Sequence, residues 1–187
     1  MKPLGLDKGI LFFPVGRKSD TGSGESFAAT ENCGWRKKVL CGEVHDDNAY
    51  TLNGVAGHAG LFGNMESLLT LTTFLLDQWR HGATHPSYSN ETLREFFKRQ
   101  TWIPESTWAL GFDTPAEKGS SAGQYLSRES VGHLGFTGTS FWIDPQKELV
   151  VVLLTNRVHP SRENNAIRSF RPLFHNTVCE ALSLARK

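Results

Sequence analysis

The sequence predicts an α+β fold: helices first, then an antiparallel sheet covered by a C-terminal helix. Three observations carry this. Apolar residues recur at helical spacing over Leu68, Leu71, Leu75 and Trp79, and again over Ile167, Phe170, Phe174 and Val178. Between these stretches the period shortens to that of strands, ending in the β-branched run from Leu149 to Leu154. The turn sequence Asp144-Pro145-Gln146-Lys147 then joins two strands as a hairpin.

Pro3-Leu4-Gly5-Leu6-Asp7 reads as a turn and lacks the charged-then-apolar layout of a signal peptide. Residues 15–34 are rich in Gly, Ser, Thr, Asp and Lys, with Ser19 to Gly24 a plain loop, and Trp35 to Leu40 is a short extended piece. The Gly-rich passage from Asn53 to Gly63 is no Walker loop, because no Gly-Lys-Ser/Thr ends it. Asn64 is a good N-cap for the clearest helix, Glu66 favours its dipole, Met65, Leu69 and Leu76 widen its stripe, and it should stop near His81-Gly82. A second helix is expected from Asn90 to Lys98, with Leu93, Phe96 and Phe97 on its apolar side. Trp108 to Phe112 reads as one strand, Val131 to Trp142 as a longer one broken by glycines, and Glu148 to Thr155 as a strand buried on both faces. Arg162 to Ala185 closes the chain as a helix over the sheet, bent or broken at Pro172.

Composition excludes some roles. Twenty basic residues against nineteen acidic ones leave a net charge of +1, so no basic field exists to track nucleic acid. Apolar residues at 39% and charged ones at 21% are ordinary for a globular protein. The longest apolar run, Leu149 to Leu154, is too short for a membrane span. The three cysteines have no zinc-ribbon spacing; a Cys33–Cys41 bridge would need an oxidising compartment, and periplasm and cytoplasm both stay open. Among the histidines, His45 (with Asp46), His58, His133 and His159 are metal candidates by type. None of these pairs has the i, i+4 spacing of a zincin and no Cys-x-x-Cys accompanies them, which favours hydrogen-bonded histidines and no cofactor.

The segment Gly132-His133-Leu134-Gly135-Phe136-Thr137-Gly138-Thr139-Ser140 is more informative. A His followed two residues later by Gly leaves a strand edge bare enough for a substrate backbone, although the same residues also fit a β-bulge. The basic side chain can orient an anionic group or a proton. The N–H just past the glycine can donate to a developing oxyanion.

Several motifs in order carry a resemblance: Glu43-Val44-His45-Asp46-Asp47-Asn48-Ala49-Tyr50, Gly54-Val55-Ala56-Gly57-His58-Ala59-Gly60-Leu61-Phe62, Gly132 to Thr139, Trp142-Ile143-Asp144-Pro145 and Leu154-Thr155-Asn156-Arg157-Val158-His159-Pro160. Together they resemble the serine β-lactamase superfamily, in its branch of class C β-lactamases, penicillin-binding proteins and esterases. That family uses a Ser-x-x-Lys nucleophile and base, a Tyr-x-Asn motif, and a Lys-Thr-Gly or His-Thr-Gly substrate strand. His133-Leu134-Gly135 matches the third, with Leu134 in place of the usual hydroxyl residue. The resemblance implies catalytic roles for His133 and Phe136, whose N–H would complete an oxyanion hole. It implies substrate-binding roles for Gly135, Thr137, Asn156 and Arg157.

No serine in the sequence is followed three residues later by lysine, and Ser183 comes nearest, with Arg186 at that offset. Tyr88-Ser89-Asn90 spells Tyr-x-Asn downstream of the family's position for it. Residues 1–187 are therefore expected to be one incomplete domain like the C-terminal half of such a hydrolase, with a loop and helical part over 1–106 and a strand meander with its helix over 107–187. Three functions follow as expectations. The first is a β-lactamase-like serine hydrolase of a β-lactam, D-alanyl peptide or ester, a class tied to antibiotic resistance. The second is a catalytically silent binding or partner module. The third is a metal-assisted hydrolase built on His45, Asp46, His58 and His133. The partners expected are a small acyl substrate and, to cover Leu68, Leu71, Leu75 and a bare sheet edge, a complementing N-terminal chain or a second copy.

Overall fold

The computed structural model describes residues 2–7, 9–16, 27–82 and 85–185. The loop expected from Ser19 to Gly24 lies outside them. The chain forms two units, one of Met1–Leu68 with Thr155–Asn165 and one of Leu69–Leu154 with Ala166–Lys187.

The first unit is loop-rich. Strand β1 (Ile10–Phe12) pairs antiparallel with a later strand, and β2 (Asn32–Cys33) makes a small hairpin with β3 (Lys38–Val39). The extended piece expected over Trp35 to Leu40 thus shrinks to two residues, because the chain must first turn through Lys37 at a positive φ of 53°. Helix α1 (Asp47–Thr51) is capped by Asp46, whose carboxylate accepts from Ala49 N at 2.7 Å. Strand β4 (Leu61–Gly63) completes the pair with β1. Phe13, Phe27 and Phe62 meet edge to face, with centroids 4.9–5.6 Å apart. Cys33 is buried, Cys41 is exposed, and both are free thiols, so the bridge between them does not form.

Helix α2 (Met65–His81) starts where Asn64 predicts, its side chain accepting from Ser67 N at 2.9 Å. Its fully buried residues are Thr72, Leu76 and Gln78, whereas Leu68, Leu71, Leu75 and Trp79 are half-buried, so the inward face is rotated from the expected stripe. Helix α3 (Asn90–Phe97) is capped by Ser89 and buries Leu93 and Phe97. Phe96 is exposed, not on the buried side.

Two strand assignments are corrected. Trp108 to Phe112 is a tight reversal: Ala109 N donates to Phe112 O at 2.9 Å, Gly111 adopts φ 80°, and Trp108 faces Asp113 across it. Val131 to Trp142 is two strands, β5 (Val131–Leu134) and β6 (Ser140–Asp144), because the chain turns back at Gly135 to Thr139. Strand β7 (Leu149–Leu153) follows the Asp-Pro turn and pairs antiparallel with β6, giving the order β5-β6-β7. Buried Asp144 locks that turn, one carboxylate oxygen accepting from Gln146 N at 3.0 Å and Lys147 N at 3.1 Å.

Alternation along β6 sends Trp142 and Ile143 to opposite faces, so the sheet is covered on both sides. Trp142 packs with Leu149, Val151 and Cys179, the last on helix α4 (Ile167–Ala181). Ile143 packs with Val131, Leu76, Leu93 and Phe97 beneath α2 and α3. Helix α4 begins five residues later than expected and runs through Pro172 as one piece. No helix among the described residues is long and apolar enough to cross a membrane.

Candidate active site

In the second unit, the expected substrate strand lies at the edge of the sheet. Gly132 is required there: a Cβ would lie 2.3 Å from Phe141 O and 2.6 Å from the Trp142 ring. Its main chain exchanges two hydrogen bonds with Asp113, Gly132 N to Asp113 O at 2.9 Å and Asp113 N to Gly132 O at 2.7 Å. Continued in register, this bridge would set Gly111 opposite Leu134, but there the chain turns back through the Ala109–Phe112 reversal. Strand alternation aims the main chain of Leu134 in the same direction as that of Gly132, away from β6. Among the described residues the outer edge of β5 is therefore paired only up to Gly132.

Beyond Leu134 the chain reverses. Gly135 N donates to Thr139 O at 2.8 Å and Gly138 N to Gly135 O at 3.1 Å, with Gly138 at φ 117°. A side chain at Gly135 would lie 2.1 Å from Thr139 Oγ1 and would have to displace that hydroxyl. Phe136 stands exposed at the turn and Thr137 is half-buried. The His133 side chain is exposed, its ring 5.7 Å from that of Trp108 at a 54° tilt. Below the turn, buried Arg171 of α4 donates through one guanidinium nitrogen to Gly135 O and Thr139 O, both at 2.7 Å.

The first unit holds Asn156, Arg157, His45, Asp46 and His58. The Asn156 amide donates to Ala29 O and its oxygen accepts from Val158 N, while Arg157 donates to Arg162 O at 2.7 Å and Asn164 O at 3.0 Å. Arg157 thus braces its own loop, and Asn156 ties that loop to Ala29. The buried Glu31 carboxylate accepts from Arg162 Nε at 2.8 and 2.9 Å and from Arg162 Nη2, and lies 3.1 Å from His45 Nε2. The Arg162 hydrogen bond is the main reason Glu31 is held at about 2, against the cost of burial. Burial pushes His45 below its ordinary value despite the neighbouring Glu31. Asp46 is lowered chiefly by the Ala49 N–H it caps, and its Oδ1 is 3.0 Å from His58 Nε2. Each metal candidate in this unit thus already has a protein partner. No group of three or more His, Cys, Asp or Glu among the described residues is placed to hold a metal ion.

Tyr88-Ser89-Asn90 joins two helices. Tyr88 Oη donates to Gln78 Oε1 at 2.5 Å, Asn90 Nδ2 to Gln78 O at 2.7 Å, and Ser89 caps α3. Sequence reasoning missed Trp108, Glu31, Arg162 and Arg171. One signal was available for the last: Ile167, Arg171, His175 and Cys179 recur every four residues on α4, and a charged residue on such a stripe needs a buried partner.

A profile of the β-lactamase family matches residues 14–172. The chain belongs to that family. It is a family of serine hydrolases, and the α+β arrangement is that of its fold. The chain is 34% identical over 172 residues to an N-acetylmuramyl-L-alanine amidase of Bacillus subtilis, covering 84% of this chain and 37% of that protein. A Salmonella typhi protein named for D-alanyl-D-alanine carboxypeptidase activity is 34% identical over 127 residues, covering 66% of this chain and 29% of its own. The chain therefore spans about a third of the length of these curated relatives. Simvastatin synthase from Aspergillus terreus has a similar fold, with a TM-score of 0.60 at 14% identity over 97% of this chain and 47% of that one.

Proposed function

We propose that this chain is the substrate-strand portion of a serine hydrolase acting on an amide or ester, with a D-alanyl peptide or β-lactam as the substrate class. The observation that carries the reading is the open edge of β5: pairing stops at Gly132, and Leu134 presents its main chain outward just before the Gly135–Thr139 turn. An extended acyl-peptide can add to such an edge by main-chain hydrogen bonds, as peptides do to exposed sheet edges elsewhere. In this reading the carbonyl under attack lies at the Phe136 main chain and His133 faces the substrate's polar groups. Gly135 and Thr137 line the strand. Asn156 and Arg157 contribute by holding the 155–165 loop in shape.

The family similarity supports acyl substrates, and the relatives' names point to cell-wall peptides. Because no Ser-x-x-Lys occurs in the sequence, the nucleophile and its base come from outside these 187 residues, in the same polypeptide or a complementing one. By itself the chain then binds without turnover, because a serine hydrolase without its nucleophile keeps little beyond binding and polarisation.

Titration of the protein with ampicillin and with diacetyl-Lys-D-Ala-D-Ala, read by NMR shifts, tests this. Saturable shifts at residues 132–139 are expected, together with no covalent adduct after incubation with a fluorescent penicillin. His133→Ala should weaken binding while leaving the urea midpoint almost unchanged, because an exposed side chain makes few packing contacts. A covalent adduct on the chain alone would overturn the placement of the nucleophile. Absence of shifts at 132–139 would overturn the substrate strand.

A further inference from the structure

Resting on the assignment of β5 as the substrate strand, we propose that Arg171 is a positioning residue: it clamps the Gly135–Thr139 turn from beneath and sets the direction of the main chain that faces the substrate. The guanidinium bonds the two residues that close the turn. Gly135 O accepts from Gly138 N at 3.1 Å and from Arg171 Nη2 at 2.7 Å; Thr139 O accepts from Gly135 N at 2.8 Å and from the same Arg171 nitrogen at 2.7 Å. Both base carbonyls are thus doubly engaged, and one rigid charged group links them.

Arg171 is 7% exposed and occupies the stripe of α4 that faces the sheet, one helical turn from Ile167 and one from the fully buried His175. A hydrophobic residue would fill this place without the desolvation cost of an arginine. What the arginine supplies is charge-assisted hydrogen bonding to two carbonyls, roughly twice as strong as neutral bonding. Only the turn receives it in these two bonds. With Gly135 and Gly138 in the loop, the turn's own backbone has few restraints on its geometry. The Phe136 N–H shares its peptide plane with Gly135 O, so turning that donor away requires breaking the Arg171 bond to Gly135 O. Positioning of this kind matters because an oxyanion donor acts only when pre-aimed at the oxygen.

Arg171→Met and Arg171→Lys, made in the 187-residue chain, test the proposal by hydrogen exchange without ligand. The Gly135 and Gly138 amides should exchange about 10- to 100-fold faster in Arg171→Met, the range expected for losing hydrogen bonds to a charged group. The β7 amides should be unchanged, and Arg171→Lys, which keeps a cationic donor, should recover part of the protection. Ile167→Val on the same helix face is the control for general loosening of α4 and should leave the turn alone. Affinity for ampicillin should fall in the order wild type, Lys, Met. Unchanged turn exchange in a folded Arg171→Met or Arg171→Lys protein overturns the clamp, and so does equal loosening by Ile167→Val. If the turn loosens as expected but the wild-type chain binds neither ampicillin nor the D-alanyl peptide, the clamp stands and the substrate assignment of β5 falls.

Discussion

Glu31→Gln isolates the ion pair that holds the 155–165 loop. The carboxylate accepts from Arg162 Nε at 2.8 and 2.9 Å, from Arg162 Nη2, and from the Arg162 main-chain N–H at 3.3 Å. A carboxyl held at about 2 instead of 4.5 is worth at most about 3 kcal/mol to the folded state, at about 1.4 kcal/mol per factor of ten. The Arg162 side chain is 37% exposed, so water screens part of this and a loss of about 1–3 kcal/mol is expected. The direction with pH follows from the depressed value. The stabilisation is fully present above the unfolded carboxyl's titration near 4.5 and is lost as pH falls from there toward 2. Wild type and Glu31→Gln should therefore differ at pH 7 and converge near pH 2.5. The measurement is urea unfolding at both pH values, followed by amide exchange at residues 28–33 and 155–165. Equal midpoints at pH 7, or a gap that persists undiminished at pH 2.5, would refute the reasoning.

Two further outcomes follow from buried groups. Asp144→Ala should lower stability by about 3–5 kcal/mol, because it strands the Ser127 N–H and hydroxyl as well as the Gln146 and Lys147 amides, and Asp144→Asn should lose less; thermal melts of the two variants check it. Of the free thiols, exposed Cys41 should react with Ellman's reagent in the native protein, while buried Cys33 and Cys179 should react only after denaturation; three fast thiols would contradict the burial.

The features legible in the sequence are those decided by neighbours. Asn64, Ser89 and the Asp144-Pro145 turn act on atoms a few residues away, and the helix starts and the β6–β7 hairpin follow from them. The α2 stripe was harder, because the inward face includes Thr72 and Gln78, which hydrophobic periodicity does not count. Buried Gln78 accepts from Tyr88 at its side-chain oxygen, and from Asn90 at its main-chain carbonyl. The split of residues 131–142 into two strands was hidden by glycines that suit a broken strand as well as a turn. His133 and its glycines were visible as a motif. Their supports come from other segments: Trp108 gave no local sign, and Arg171 only its place on the buried stripe of α4.

The first unit is interrupted: its 155–165 segment is made only after most of the second unit. Glu31 meets Arg162 across a separation of 131 residues, and the strands and helices of Leu69–Leu154 are synthesised in between. In equilibrium terms the long closure is cheap, about 2 kcal/mol more than closing a dozen residues. In time it is not: at roughly 5–20 residues per second, Glu31 waits on the order of 7–25 s for its guanidinium. During that interval Glu31 lacks Arg162, and residues 27–45 emerge with their packing incomplete. Substitutions in 155–165 should consequently register far upstream, as early exposure of the segment around Glu31.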